Sequence, residues 1–229
     1  MATSYIELQR IFGNSWFGSL RDASQEALLT KGRSMKLSPG ECLVRKGDAA
    51  NGFFGVVSGV LAASSLLEDG RQMIFGLIEA GDWCGEASSL DHLPRTHDIR
   101  ALNPAELLHI GQPLFDQLMH DTHFARAIAV LQTTRIRTMF SFFEDAALRS
   151  TRARVARRLL RLASGDATPV PKVRQTLPVT HETLAMMLGI TRQTLSLELK
   201  ALAAEGAVAL SYGRIDITSA QKLRLASGN

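Results

Sequence analysis

Two stretches of this chain carry side chains whose types and spacing could do chemistry. The first is Gly85-Glu86 followed by Pro94-Arg95-Thr96. A bound phosphodiester needs a fixed cation, a hydroxyl donor and backbone N–H groups at a helix start. Arg95, Thr96 and the turn after Glu86, running Ala87-Ser88-Ser89-Leu90, supply all three. Glu86 would accept a ribose hydroxyl or brace the arginine. The plainer alternative is an internal Glu–Arg ion pair that closes a barrel.

The second stretch, THETLAMMLGITRQTLSLELKAL from Thr180 to Leu202, predicts two short helices joined by a tight turn at Gly189. Leu184, Leu188, Ile190, Leu195 and Leu199 fall on inward faces at helical spacing, and Ala185 is small where the helices must approach. Thr191 suits an N-cap, which places Arg192 and Gln193 at the exposed start of the second helix. A helix-turn-helix projects such residues into the major groove, where Arg matches guanine and Gln matches adenine. An ordinary helical hairpin would explain the apolar spacing but not that exposed Arg-Gln pair.

The elements around these stretches differ in rhythm. Short helices are expected from Ile6 to Lys36, with Trp16, Phe17 and Leu20 packing inward. From Leu37, glycines recur between short β-rich runs such as FFGVVSG and QMIFGLI. Gly47-Asp48, Asp69-Gly70 and Gly81-Asp82 punctuate antiparallel hairpins closing into a roll, and His97–Ile110 adds the last strands. A long helix is expected from His123 to Asp145. Its apolar stripe is more than one barrel face needs, so Ile128, Leu131, Ile136, Met139 and Phe142 are expected to pair across a two-fold axis. The alternative is a helix packed wholly on its own domain. A basic amphipathic helix (Thr151–Ala163), a Gly/Pro turn (SGDATPVPK), the helix-turn-helix and a β-wing around Tyr212-Gly213 complete the chain. Arg214 on the wing could reach a phosphate.

Charge separates along the same lines. Residues 1–145 hold 13 Lys+Arg against 17 Asp+Glu, a net of −4. Residues 146–229 hold 13 against 5, a net of +8, which fits phosphate contacts by the carboxy-terminal lobe. The expected division is a sensor roll over 1–121, a dimerisation helix and hinge over 122–145, and a DNA-binding domain over 146–229. No basic leader and no bilayer-spanning run is visible, and the two cysteines offer no disulfide framework, so a cytoplasmic protein is expected. The six histidines include no pair one residue apart, so no metal site is expected. Without a nucleophile elbow, Walker loop or dinucleotide fingerprint, no catalytic residue is assigned and an enzyme is not expected.

Gly40-Glu41, Gly47-Asp48, the SGV turn, Gly81-Asp82, GEASSLDHLPRTH, the long helix, STRARVARRLLRLA and ITRQTLSLELKAL together resemble the CRP/FNR family of bacterial transcription regulators, in the family's order over about residues 15–220. The resemblance implies an α+β fold: an amino-terminal antiparallel, jelly-roll-like β-roll, a long dimerisation helix and a carboxy-terminal winged helix-turn-helix. It implies a homodimer on a near-palindromic site in double-stranded DNA, with RNA polymerase as a further partner and no membrane. In nucleotide-binding members, positions matching Glu86, Arg95 and Thr96 hold the ribose and cyclic phosphate, with Gly85, Ala87 and Ser88 beside them. DNA contacts are implied for Thr191, Arg192, Gln193 and Ser196, with Lys200 on a phosphate.

Three departures bear on specificity. Leu197 stands where the family often has a base-reading arginine, so the operator should differ from the commonest consensus, or a thymine methyl is contacted instead. Ser141 is the one hydroxyl in Met139–Phe143, where cyclic-AMP-responsive members use hydroxyl groups on the purine. His97 replaces a small residue beside the phosphate motif. Cyclic AMP, a cyclic dinucleotide, another anion or no ligand all remain open; so does an interaction protein that binds cyclic nucleotides without acting on DNA. The amino-terminal cysteine cluster of the iron–sulfur members is absent, so no such cluster is expected.

Overall fold

The computed structural model describes residues 3–13, 16–167 and 173–228, and it has the expected α+β architecture. Two compact units are present, Met1–Ser65 with Phe75–Arg137, and Leu66–Ile74 with Thr138–Asn229.

The first unit opens with α1 (Tyr5–Phe12), whose first turn is capped by Ser4 accepting from the Glu7 N–H at 3.3 Å. A 3-10 turn (Trp16–Ser19) and α2 (Asp22–Lys31) follow. The roll is built from β1 (Arg33–Leu37), β2 (Cys42–Val44), β3 (Phe53–Ser58), β4 (Val60–Leu66), β5 (Gln72–Glu79), β6 (Trp83–Cys84), β7 (Asp98–Ala101) and β8 (Ala105–Ile110). The short helix α3 (Glu86–Asp91) interrupts it, and α4 (Gln112–Met119) and α5 (Thr122–Leu148) come after it.

The strands form two sheets, β1-β8-β3-β6 and β2-β7-β4-β5. Pairing is therefore nested, first strand with last and inward to β4 with β5, which is a jelly roll. Among the described residues of the roll, only β4 and β5 are sequence neighbours paired in one sheet; most glycine-marked turns carry the chain between sheets instead of closing hairpins. Gly59 shows why such turns need glycine. Its φ is +87°, and a Cβ there would lie 2.5 Å from the Pro104 carbonyl oxygen. The roll also begins earlier than Leu37: in β1, RSMKL, Leu37 is buried and Met35 half-buried against the same core, an alternation only two residues long and too short to read.

Two cores hold this unit. One fills the roll with Val44, Phe54, Val56, Leu61, Ile78, Cys84, Ile99 and Leu107. The other is aromatic, with Phe12 and Phe53 packed on Trp83 at ring separations of 4.7 and 5.0 Å. Phe124, Ile128 and Leu131 of α5 complete this second core.

In the second unit, α6 (Thr151–Ser164) is capped by Ser150, which accepts from the Ala153 N–H. Then come β9 (Thr176–Leu177), α7 (His181–Leu188), α8 (Arg192–Ala204), β10 (Val208–Ser211), β11 (Arg214–Ile217) and α9 (Ala220–Ala226). The wing is a three-stranded sheet, β10-β11-β9, not only a hairpin. Residues 168–172 of the expected Gly/Pro turn lie outside the described residues.

Candidate functional site

The turn between α7 and α8 is specified locally. Thr180 and Thr191 cap the two helices, accepting from the Thr183 and Thr194 N–H groups at 3.1 Å each. Gly189 sits between them in the left-handed region with φ +63°, and its N–H closes α7 on the Ala185 carbonyl. Leu195, Leu199 and Leu202 are fully buried, which fixes the rotation of α8 about its axis. The opposite face then presents Arg192, Gln193, Ser196, Leu197 and Lys200, spaced as one helical surface. Thr191, Arg192, Gln193 and Ser196 line one shallow concavity. Leu197 is 70 % exposed amid polar neighbours. Arg214, at the start of β11, leans on Asp216 at 3.4 Å and stays mostly exposed. Arg154 of α6 ties this helix pair to α6 by donating to the last carbonyl of α7, Leu188, at 2.5 Å.

The roll brings Gly85, Glu86 and Arg95 together. Gly85 has φ +97°, and a Cβ there would meet Arg95 Nη1 at 2.9 Å, so only glycine permits this approach. Arg95 is buried and donates from Nη1 to the Gly85 carbonyl at 2.8 Å. Its Nη2 donates to Asn51 Oδ1 at 2.8 Å and to the Gly52 carbonyl at 2.7 Å. Burial pulls its basicity below the ordinary guanidinium value, partly offset by Cys84, Glu86 and Asp48. The internal Glu–Arg pair exists, but its arginine is Arg135 on α5, which also donates to the Trp83 carbonyl. Glu86 Oε2 and Arg95 Nε are buried without a partner among the described residues.

The remaining expected cassette residues are arranged less tightly. Ser88 is buried near the Pro94 carbonyl at 3.5 Å, while Ala87 is exposed. Thr96 is exposed, its hydroxyl 2.8 Å from His97 Nδ1. Burial pulls the His97 pKa down, with Glu86 the strongest opposing influence. The buried thiol of Cys84 is pushed up to about 12. Ser141 is half-buried on α5 in the other compact unit. Asn51 and Arg135 were not singled out from the sequence. Arg135 had a signal, since it continues the inward stripe Phe124, Ile128, Leu131 at helical spacing.

The residues expected at a two-fold seam divide. Ile128 and Leu131 are spent in their own unit's aromatic core, so they are not the side chains left for a partner. Phe142 lies under two guanidinium groups of α6, 4.6 Å from Arg158 and 4.9 Å from Arg161. Ile136 and Met139 are exposed, as are Phe140 and Phe143. Among the described residues, no group of three His, Cys, Asp or Glu is placed to hold a metal ion, and no helix is long and apolar enough to cross a membrane.

Comparison with known proteins agrees with this geometry. The cyclic nucleotide-binding domain family matches residues 34–122 and the Crp-like helix-turn-helix domain matches residues 153–226. The cyclic AMP receptor protein of Thermus thermophilus is 28 % identical over 185 residues, covering 80 % of this chain and 83 % of the relative. FixK2 from Bradyrhizobium japonicum shares the fold with a TM-score of 0.76 at 18 % identity, over 85 % of this chain and 96 % of that one. The c-di-GMP responsive global regulator CLP of Xanthomonas campestris does so with a TM-score of 0.71 at 20 % identity, over 87 % and 100 %. With a jelly roll followed by a winged helix-turn-helix, and both matched in family order, the chain belongs to the CRP/FNR family of DNA-binding transcription regulators.

Proposed function

We propose that this regulator works as a homodimer whose roll binds a small phosphodiester and thereby sets the spacing of its two DNA-reading helices. The observation that carries the DNA contacts is the face of α8. Arg192, Gln193, Ser196 and Lys200 are presented together by a helix locked from behind by Leu195, Leu199 and Leu202. Arg192 and Gln193 read bases, Thr191 and Ser196 support them, and Lys200 and Arg214 meet phosphates. Two such helices about 34 Å apart enter successive major grooves of a near-palindromic site.

The roll cassette around Glu86 and Arg95 supports an effector through its orphaned atoms. A buried carboxylate oxygen and a buried guanidinium N–H without partners are costly, and a ligand carrying both a hydroxyl and an anionic oxygen would satisfy them. The T. thermophilus relative is a cyclic AMP receptor and the X. campestris neighbour responds to c-di-GMP, so both cyclic nucleotides are natural first candidates. Gly85, Glu86, Ala87, Ser88, Arg95 and Thr96 would form the site. Ligand contacts then shift a population between two dimer arrangements. RNA polymerase in the cytoplasm is the expected downstream partner.

The test is binding of the full-length protein to a pool of genomic fragments, with and without cyclic AMP, cyclic GMP and cyclic di-GMP. Retention of a discrete set of fragments, enriched by one nucleotide, is the expected result. Equal retention of all fragments under every condition would reject the reading.

A further inference from the structure

We propose that His97 is an additional residue of the roll's anion site and makes phosphodiester binding tighten as pH falls, by controlling the hydroxyl of Thr96. The inference rests on the effector reading above. Thr96 Oγ1 and His97 Nδ1 are 2.8 Å apart, and the imidazole is held edge-on against Phe75 of β5, with ring centres 5.8 Å apart. With a neutral ring protonated on Nε2, Nδ1 accepts and the single hydroxyl proton of Thr96 is committed to it. A protonated ring reverses the bond. Nδ1–H then donates to Thr96 Oγ1, and the hydroxyl proton is free for an incoming anionic oxygen.

Charge balance points the same way. The charged groups facing His97 are Glu86 on α3, Arg135 on α5, Asp98 on β7 and Arg95 beside it. Two cations and two carboxylates cancel, so the one negative charge of a phosphodiester is uncompensated until His97 takes up a proton. Without ligand, burial holds the His97 pKa below its ordinary 6.5, so at neutral pH the ring is neutral and the hydroxyl is committed. A bound anion raises that pKa. Affinity is therefore constant above the ligand-bound pKa, climbs as pH falls between the bound and free values, and levels below the free value. A phosphodiester does not itself titrate in this range, unlike a phosphate monoester with its second ionisation near about 6.

The experiment is calorimetric titration of the full-length protein with cyclic AMP, cyclic GMP and cyclic di-GMP between about pH 5.5 and 8.5, in buffers of differing ionisation enthalpy. The expected result is uptake of up to about one proton per site, with affinity rising by up to about tenfold per pH unit inside the window. In His97→Gln, which stays neutral, the same nucleotide should bind with no pH slope and no proton uptake. Binding by the wild-type protein with a flat pH profile, or a slope that survives in His97→Gln, overturns the role of His97 and leaves the effector reading standing. Absence of binding by all three nucleotides at every pH removes the effector reading, and this proposal with it.

Discussion

Glu86 on α3 and Arg135 on α5 form an ion pair within the first unit, and the pair leaves Arg95 to the carbonyls of Gly85 and Gly52. The side chains are unequally placed: that of Glu86 is 2 % exposed, that of Arg135 is 29 % exposed. Removing the arginine therefore strands a carboxylate that water does not reach. Removing both charges strands no buried charge.

Arg135→Met is expected to destabilise the roll by about 2–4 kcal/mol, the lower part of the range reflecting the arginine's partial exposure. The double variant Glu86→Gln with Arg135→Met should recover most of that. The two tryptophans, Trp16 and Trp83, both belong to the first unit, so fluorescence during urea unfolding reports on the roll specifically. An Arg135→Met midpoint equal to wild type would mean the pair carries no stability.

Arg192→Ala should weaken specific DNA binding by about 1–3 kcal/mol and leave binding to random duplex nearly unchanged. Lys200→Ala should weaken both alike and reduce the salt slope by about one. Titrations of each variant against a selected duplex and random duplex, at several salt concentrations, separate the roles. Equal losses on both duplexes would remove Arg192 from base reading.

Leu197 is exposed on the proposed reading face and offers no hydrogen bond, so any contact it makes with DNA is apolar. A thymine methyl is the matching group. Replacing single thymines by uracil in a selected duplex should reveal a position costing about 0.8 kcal/mol, the worth of one buried methyl. In Leu197→Ala that cost should vanish. Uracil tolerated at every position by the wild-type protein would rule the contact out.

How much of this could be read beforehand depended on the range of the interactions. Thr180, Gly189 and Thr191 act on neighbours within a few residues, so the α7–turn–α8 unit and its exposed Arg192-Gln193 were legible. The roll's existence was visible in its glycine spacing, but its nested pairing was not. In β1, only Met35 and Leu37 of the five residues are apolar, too short an alternation for its pairing with β8 to be read from RSMKL. The two residues of β9 are too few to carry a pattern. The cassette shows the same division. Gly85, Glu86 and Arg95 were legible as a local motif. Asn51 is 44 residues from Arg95 and Arg135 is 49 from Glu86, distances that only the closed roll and the docked α5 bridge.

The thiol chemistry follows from burial. Cys84 is 3 % exposed with its pKa pushed to about 12, whereas Cys42 is half-buried. At about pH 8 the Cys84 thiolate fraction is on the order of one in ten thousand. Iodoacetamide should modify Cys42 in the native protein and reach Cys84 only after denaturation, as read by mass spectrometry. The sign for stability is also fixed. A thiol pKa raised on folding contributes stability that is intact below about 9 and is lost as pH rises toward about 12. Prompt native labelling of Cys84 would contradict the burial.

The two halves of α5 should respond to mutation in opposite ways. Phe124, Ile128 and Leu131 already fill their own unit's core, so Ile128→Ala should cost the roll about 2–5 kcal/mol without changing the protein's mass in solution. Further along, Met139 and Phe143 are 68 % and 75 % exposed, more apolar surface than a solvated helix face normally keeps. Placing charges there, as Met139→Glu with Phe143→Glu, would put like charges against one another at the proposed two-fold seam. Light scattering at micromolar concentration should then report a monomer, tryptophan fluorescence should still report a folded roll, and operator affinity should fall because one half-site is lost from each binding event. A double variant that keeps the wild-type mass would place the seam elsewhere, because two pairs of buried carboxylates could not be accommodated at it.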